Sequence, residues 1–293
     1  MKVFITGITG TLGTALAELH LARGDEVCGV ARSEAKVVEW RAAHPACTVL
    51  PAAAGTVGQP HGEARDLLRD CVLAYHLAAL KHVDVCEQTP YEAMQNNAHL
   101  TQVVAAACRD LDVGLVFAST DKACLPEGVY GATKLIGERA VLRYGGAAVR
   151  LGNLIGSSGS VFQRWAAQAA RGEPITVTDP KMTRYFIPVR AAAEFMADRA
   201  IPGRVVAPVM RAAVMGEVAT RASTRGPRAS EVRVTGPRPG ETTHQWLVAP
   251  GECITACRER IVLGEGVPTA AGLCSGWATA WDPDHLLAHA GAY

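Results

Sequence analysis

The chain predicts an α/β fold built on a doubly wound parallel sheet, and three observations carry that prediction. Short apolar runs alternate with helical patterns through the first half, glycines at 7, 10 and 13 fall between the first run and the first helix, and the alternation fades after about residue 151. Strand-helix alternation joins into right-handed crossover units whose helices cover both faces of a parallel sheet. With 293 residues there is room for that core and a smaller appended region.

The elements follow in order. "KVFITG" reads as a first strand, "TLGTALAELHLARG" as a helix, "EVCGVAR" as a second strand, 33–43 as a helix and "CTVL" as a third strand. The stretch 51–64, "PAAAGTVGQPHGEA", reads as a loop where a tidy unit would have a helix. "CVLAYHLAA", a helix over 89–110, "VGLVFAST", a helix over 128–144 and "AAVRLGN" complete the alternation. Beyond it, "GSSGS", "RGEPITVTDPKMTRYF" and "GPRPGETTH" supply turns between shorter elements. The expected division is a first domain over 1–150, with a later contribution from about 187–210, and a ligand-binding region over 151–293.

Composition narrows the partners. Lys plus Arg is 29 against 28 for Asp plus Glu, so no net field favours nucleic acid or an anionic membrane, and a small molecule is the expected partner. The start "MKVFITGITG" enters a strand without a secretory pattern, and no run is long enough to span a bilayer, which together predict a cytoplasmic protein. The nine cysteines, several inside apolar runs, read as reduced thiols. Cys253 and Cys257 are spaced i, i+4, as are His285 and His289, a pattern open to a zinc site. Helical spacing in an alanine-rich tail explains it more simply, and no metal is predicted.

In "TGITGTLG", Thr6, Gly7, Thr9, Gly10, Thr11, Leu12 and Gly13 join the first strand to the first helix. A tight turn there lets backbone approach a pyrophosphate and aims free amides at negative charge, so the segment predicts dinucleotide binding. At the end of the second strand, Arg32 and Ser33 stand where an acid would hold ribose hydroxyls. A guanidinium suits a 2′-phosphate, which favours NADP over NAD.

Tyr130 and Lys134, spaced Y-x-x-x-K, lie on one face of the helix over 128–144. A phenol is a poor base near neutrality, and a neighbouring cation favours its ionised form, so the pair can take a hydroxyl proton as hydride leaves the same carbon. Alone, such a pair reads as an exposed helix face. The glycine turn upstream reverses that judgement.

"HLAALKHVDVCEQTPYEAMQNN", "STDKACLPEGVYGATK", "RLGNLIGSSGSVF", "PITVTDPKMTRYF" and "GPRPGE" follow the glycine turn in order. With its G-x-x-G-x-x-G spacing, the chain resembles an extended short-chain dehydrogenase/reductase of the UDP-N-acetylglucosamine 4,6-dehydratase (polysaccharide biosynthesis) family. That resemblance implies a Rossmann-like fold and a nucleotide-sugar substrate, UDP-linked and similar to UDP-N-acetylglucosamine. It further implies dehydration by C4 oxidation, loss of water across C5 and C6, and hydride return to C6.

By the same resemblance Asp121 is the acid toward the C6 oxygen and Lys122 the base at C5. Thr120 hydrogen-bonds near the C4 hydroxyl, and Asn97 supports the proton relay. Ala78, Ala79 and Lys81 border the cofactor, and Lys81 also opens the substrate pocket. Asn153, Ser158, Val161, Arg184, Arg238 and Glu241 form the nucleotide-diphosphate cradle. The helices over 89–110 and 128–144 correspond to those with which relatives dimerise, so a homo-oligomer is expected.

The pattern has departures. "LPAAAGTVG" lacks the acidic segment that holds adenine, Leu100 replaces a glycine, Asp84 replaces a proline, and the tail from about 262 matches no family segment. They suggest a specialised pathway, such as that of a natural product, with a substrate other than UDP-N-acetylglucosamine itself. An epimerase or simple oxidoreductase would need Tyr130 and Lys134 without Asp121 and Lys122. A dehydratase releasing a 5,6-unsaturated sugar would use the same residues. A non-catalytic NADP-binding protein would need none of Thr120, Asp121, Lys122, Tyr130 and Lys134 intact.

Overall fold

The computed structural model describes residues 1–225, 229–256, 260–264, 267–269, 272–276 and 278–290. Its first half alternates β1 (Lys2–Thr6), α1 (Thr11–Ala22), β2 (Glu26–Ala31), α2 (Glu34–Ala43), β3 (Thr48–Pro51), α3 (Glu63–Arg69) and β4 (Leu73–His76). Then come α4 (Val83–Gln88), α5 (Pro90–Ala93), α6 (Leu100–Asp110), β5 (Gly114–Thr120), α7 (Val129–Arg143) and β6 (Ala147–Leu151). Parallel pairing runs β3-β2-β1-β4-β5-β6, so the winding reverses between β1 and β4. Ligands bind beyond the carboxyl ends of strands at such a switch point.

The strands are apolar on both faces because helices cover both. Val3, Phe4 and Ile5 of β1 and Ala147, Ala148 and Val149 of β6 are buried within one continuous core. The helix expected over 89–110 is not uniform. Pro90 opens α5 as a first-turn residue, Met94–His99 winds as a π turn, and α6 follows. π turns are uncommon and gather at functional sites, and this one holds Asn97.

The expected loop over 51–64 contains a short 3₁₀ turn, Ala54–Gly58, seated on α6. A Cβ at Gly55 would stand 2.6 Å from Leu100, and one at Gly58 would stand 2.5 Å from Val103. The two departures at Leu100 and in "LPAAAGTVG" are thus one packing solution, a larger helix residue filling against a glycine.

After β6 the chain leaves the sheet through β7 (Asn153–Ile155), α8 (Val161–Ala170), β8 (Ile175–Val177) and β9 (Thr183–Pro188). It returns with α9 (Val189–Arg199) and β10 (Val205–Pro208), which pairs parallel to β6. β11 (Arg211–Val214), α10 (Met215–Ser223), β12 (Val232–Val234) and β13 (Trp246–Val248) follow. β14 (Cys253–Ala256), β15 (Arg260–Leu263) and β16 (Val267–Pro268) extend the main sheet in antiparallel fashion beyond β10. β17 (Leu273–Cys274) and α11 (Pro283–Ala290) end the described chain. A second core forms under α8 and α10, where Phe162, Trp165, Ile175, Val218, Leu286 and Leu287 are buried. Among the described residues, no helix is long and apolar enough to cross a membrane.

Candidate active site

The turn after β1 is shaped by glycine. Gly7 has φ +72°, donates its amide to the Val30 carbonyl at 2.8 Å, and leaves no room for a Cβ beside the Ala78 amide at 3.1 Å. A Cβ at Gly13 would stand 2.4 Å from the Gly7 carbonyl oxygen, so α1 lies directly on the turn. With no acid in its first turn, α1 presents free amides. Thr6 stands behind the turn, fully buried, accepting from the Leu77 and Ala78 amides at 3.1 and 3.2 Å. Its own proton then goes to Nδ1 of His76 at 2.7 Å.

From this turn opens a cavity of about 1200 Å³, room for a dinucleotide and a second large ligand. Thr9, Gly10, Thr11, Leu12, Ala78 and Ala79 line its start. Arg32 donates to Asn96 at 3.2 Å, and Ser33 caps α2 by accepting the Lys36 amide at 3.4 Å. Lys36 lines the same end, a cation readable as the third residue after the Ser33 cap. Ala52, Ala53, Ala54, Leu100 and His99 provide the wall where an acid was lacking. The glycine cradle and the free amides fit a dinucleotide, with Arg32, Ser33 and Lys36 lining one end of the same cavity.

At the carboxyl end of β5, Thr120 donates to Oδ1 of Asp121 at 2.9 Å and Lys122 donates to the same oxygen at 3.0 Å. Thr120 and Lys122 line the cavity, while Asp121 lies fully buried behind them. Its Oδ2 is the buried side-chain oxygen left without a partner among the described residues. α7 packs onto this corner through Gly131, where a Cβ would stand 2.0 Å from the Lys122 carbonyl oxygen. Glu87 holds the start of α7, accepting the Val129 amide at 2.6 Å.

That packing brings Tyr130 and Lys134 onto the cavity wall beside Thr120 and Lys122. Burial pushes the Tyr130 phenol above its ordinary range, as does the Asp121 charge, against a Thr120 hydrogen bond that favours phenolate. Burial pulls Lys134 down to about 7, opposed by Glu138. Glu138 is itself forked onto Arg150 at 3.0 and 3.1 Å and accepts from Ser119 at 2.6 Å, all three being buried. Asn97 is fully buried one layer back. It accepts the Leu80 amide at 2.8 Å and donates to the Leu80 carbonyl and to Thr133 at 3.0 and 3.2 Å.

The far end of the cavity holds Lys81, Asn153, Ser158, Val161, Arg184, Arg238 and Glu241. Lys81 donates to the Ser158 carbonyl at 2.8 Å, and Thr11 accepts the Ser158 amide at 3.1 Å. Ser158 therefore joins the glycine turn to the distal loop. Arg238 is forked by Glu241 at 2.7 Å and meets Asp84 at 3.5 Å, so the replaced proline has become an ion-pair partner. Arg184 donates to the Thr183 and Thr243 carbonyls at 2.8 and 3.1 Å, and Asn153 donates to the Tyr185 carbonyl at 3.0 Å. Arg164, which sequence reasoning missed, adds a cation one turn into α8.

Cys253 lies on β14, which corrects its helical reading, and His285 and His289 lie on α11; Cys257 falls outside the described residues. Among the described residues no group of three or more His, Cys, Asp or Glu is placed to hold a metal. The described cysteines are free thiols.

Comparison with known proteins identifies the family and the fold. A family model described as polysaccharide biosynthesis protein matches residues 3–262. A segment of 130 residues is 42% identical to the capsular polysaccharide biosynthesis protein CapD of Staphylococcus aureus, covering 42% of this chain and 22% of that protein. The chain thus spans only about a fifth of that relative's length. Over 268 residues it is 29% identical to the UDP-N-acetylglucosamine 4,6-dehydratase (inverting) of Campylobacter jejuni subsp. jejuni serotype O:2, covering 85% of this chain and 77% of that one. The X-ray structure of Pen from Bacillus thuringiensis superposes with a TM-score of 0.87 at 24% identity, covering 98% of this chain and 95% of that one, a likeness of fold.

Proposed function

The chain belongs to the polysaccharide biosynthesis protein family of extended short-chain dehydrogenase/reductases, and from that premise we propose that it is an NADP-dependent 4,6-dehydratase of a UDP-N-acetylglucosamine-like sugar nucleotide. The observation that carries the reading is one wall of one cavity. Thr120, Lys122, Tyr130 and Lys134 share it, with Asp121 paired to Lys122 behind. An epimerase needs the tyrosine and lysine of α7, and the added acid and base make sense for elimination.

The dinucleotide, when bound, supplies the hydride acceptor for C4 and the hydride returned to C6. Tyr130 takes the C4 hydroxyl proton, and charged Lys134 beside it lowers the cost of the phenolate. The resulting ketone acidifies C5, and Lys122, once it has passed the proton of its ion pair to Asp121 and become a neutral amine, removes the C5 proton. Asp121, made a carboxylic acid by that same transfer, is the source of the proton for the departing C6 oxygen, and its hydrogen bond to Lys122 keeps the acid next to the base.

Arg184, Arg238 and Arg164 supply cations for a diphosphate, and Glu241 accepts from ribose hydroxyls once Arg238 turns to phosphate. Exposed Tyr91 on α5, Met94 on the π turn and Ile136 on α7, which packs against both, support a homo-oligomer. The test is a panel of UDP-linked hexoses and N-acetylhexosamines incubated with NADP and read by mass. Loss of one water from a UDP-N-acetylhexosamine supports the reading; return of every sugar at its starting mass overturns it.

A further inference from the structure

Lys134 is held by more than its own helix. Phe117 of β5 stands opposite His76 of β4 in the parallel register, so the two side chains share a sheet face, and both are fully buried. α7 covers that face closely because residue 137 is glycine. A Cβ there would stand 2.9 Å from the Phe117 ring. The Lys134 ammonium consequently sits 4.0 Å from the centroid of that ring. His76 stacks on the same ring at 5.7 Å and 20°.

The charged groups nearby are otherwise engaged. Glu138, one turn along α7, is forked onto Arg150 and bonded by Ser119. Asp121 is paired with Lys122. His76 is bonded through Nδ1 to Thr6 and through Nε2 to Thr101 at 3.0 Å, and burial together with Lys134 pulls it down to about 3, so it stays neutral. Tyr130 shares the wall but carries no charge until it gives up its proton. The negative face of an aromatic ring attracts a cation most strongly where water is excluded.

We propose that Phe117 is a positioning residue for the proton relay, its π face being the seat that keeps the Lys134 ammonium charged and fixed beside Tyr130. The proposal rests on the reading of Tyr130 and Lys134 as the redox pair, and its test needs no substrate. Lysine side chains labelled with a nitrogen isotope would be titrated by NMR in the full chain, the Lys134 signal being assigned with Lys134→Arg.

In Phe117→Leu, the Lys134 midpoint should fall by about one pH unit, the size of a desolvated cation–π attraction. Phe117→Tyr, which keeps the ring, should titrate as the wild type does. If Phe117→Leu fails to fold, stepwise fluorination of the ring at position 117 drains the π face while preserving its shape, and each step should lower the midpoint further. Midpoints unmoved in the leucine and fluorinated proteins would overturn the proposal. Shifted midpoints in a protein that turns over no sugar would leave it standing and remove the dehydratase reading instead.

Discussion

Lys122 and Asp121, neighbours in the chain, are joined at 3.0 Å by an ion pair whose carboxylate is fully buried while the ammonium keeps 23% of its surface exposed. Transfer of the shared proton from Lys122 to Asp121 would turn a neutral amine toward the cavity and leave a carboxylic acid behind it, a division that a solvated loop would not make.

The first prediction follows from that division. Asp121→Asn and Lys122→Met should each slow water loss by about 10²- to 10⁴-fold, the usual range for one general acid or base. C4 oxidation relies on Tyr130 and Lys134 and should persist, so reduced dinucleotide should build up in a single turnover. Equal loss of both steps would deny the separation of roles.

Gly131 offers a second test. Because its Cβ would stand 2.0 Å from the Lys122 carbonyl oxygen, Gly131→Ala must push α7 away from the acid/base corner. Overpacking of this kind costs about 1–3 kcal/mol, to be read as a lower denaturation midpoint. Turnover should fall more than stability alone explains, while dinucleotide affinity, set largely at the glycine turn, stays within about twofold.

Much of this was legible in the chain. The period of the strands, the glycine turn and the Y-x-x-x-K spacing are local signals, and each stands where expected. What was not legible depends on distant contacts. Nothing near Asp84 announces Arg238, nothing in "VGLVFAST" announces that Phe117 will meet Lys134, and Thr6 looks like a ligand residue until its two amide donors and His76 are seen. The antiparallel extension by β14 and β15 was missed because short strands in a turn-rich tail carry no period long enough to read.

The third prediction concerns stability and pH. Lys134 is pulled from 10.5 to about 7 chiefly by burial, so below about 7 the folded protein carries a buried charge that the unfolded chain solvates. That destabilisation is complete below the folded value and is relieved as pH rises from there toward 10.5, because only the unfolded state still holds the proton. Lys134→Met should therefore be more thermostable than the wild type at pH 6, with the difference shrinking toward pH 10. A difference independent of pH, followed by scanning calorimetry, would count against a buried titrating lysine.

The fourth prediction addresses the cofactor. Arg32→Ala should weaken NADP binding by about 10- to 100-fold, the worth of a hydrogen bond to a charged group, and leave NAD within about twofold. Lys36→Ala should act in the same direction with a smaller effect. Calorimetric titration checks both, and equal losses for NAD and NADP would remove the 2′-phosphate assignment.

At one cavity wall the proposed reaction oxidises C4 with the dinucleotide as hydride acceptor, removes the C5 proton and expels the C6 hydroxyl. It is tested most directly by incubating the protein with UDP-N-acetylglucosamine and NADP in deuterated water, following the sugar by mass spectrometry and proton NMR. Loss of one water, deuterium at C5 and a C6 methyl group are expected of that reaction. A sugar recovered with its mass and C5 proton unchanged, here and across the other UDP-linked N-acetylhexosamines, would contradict it.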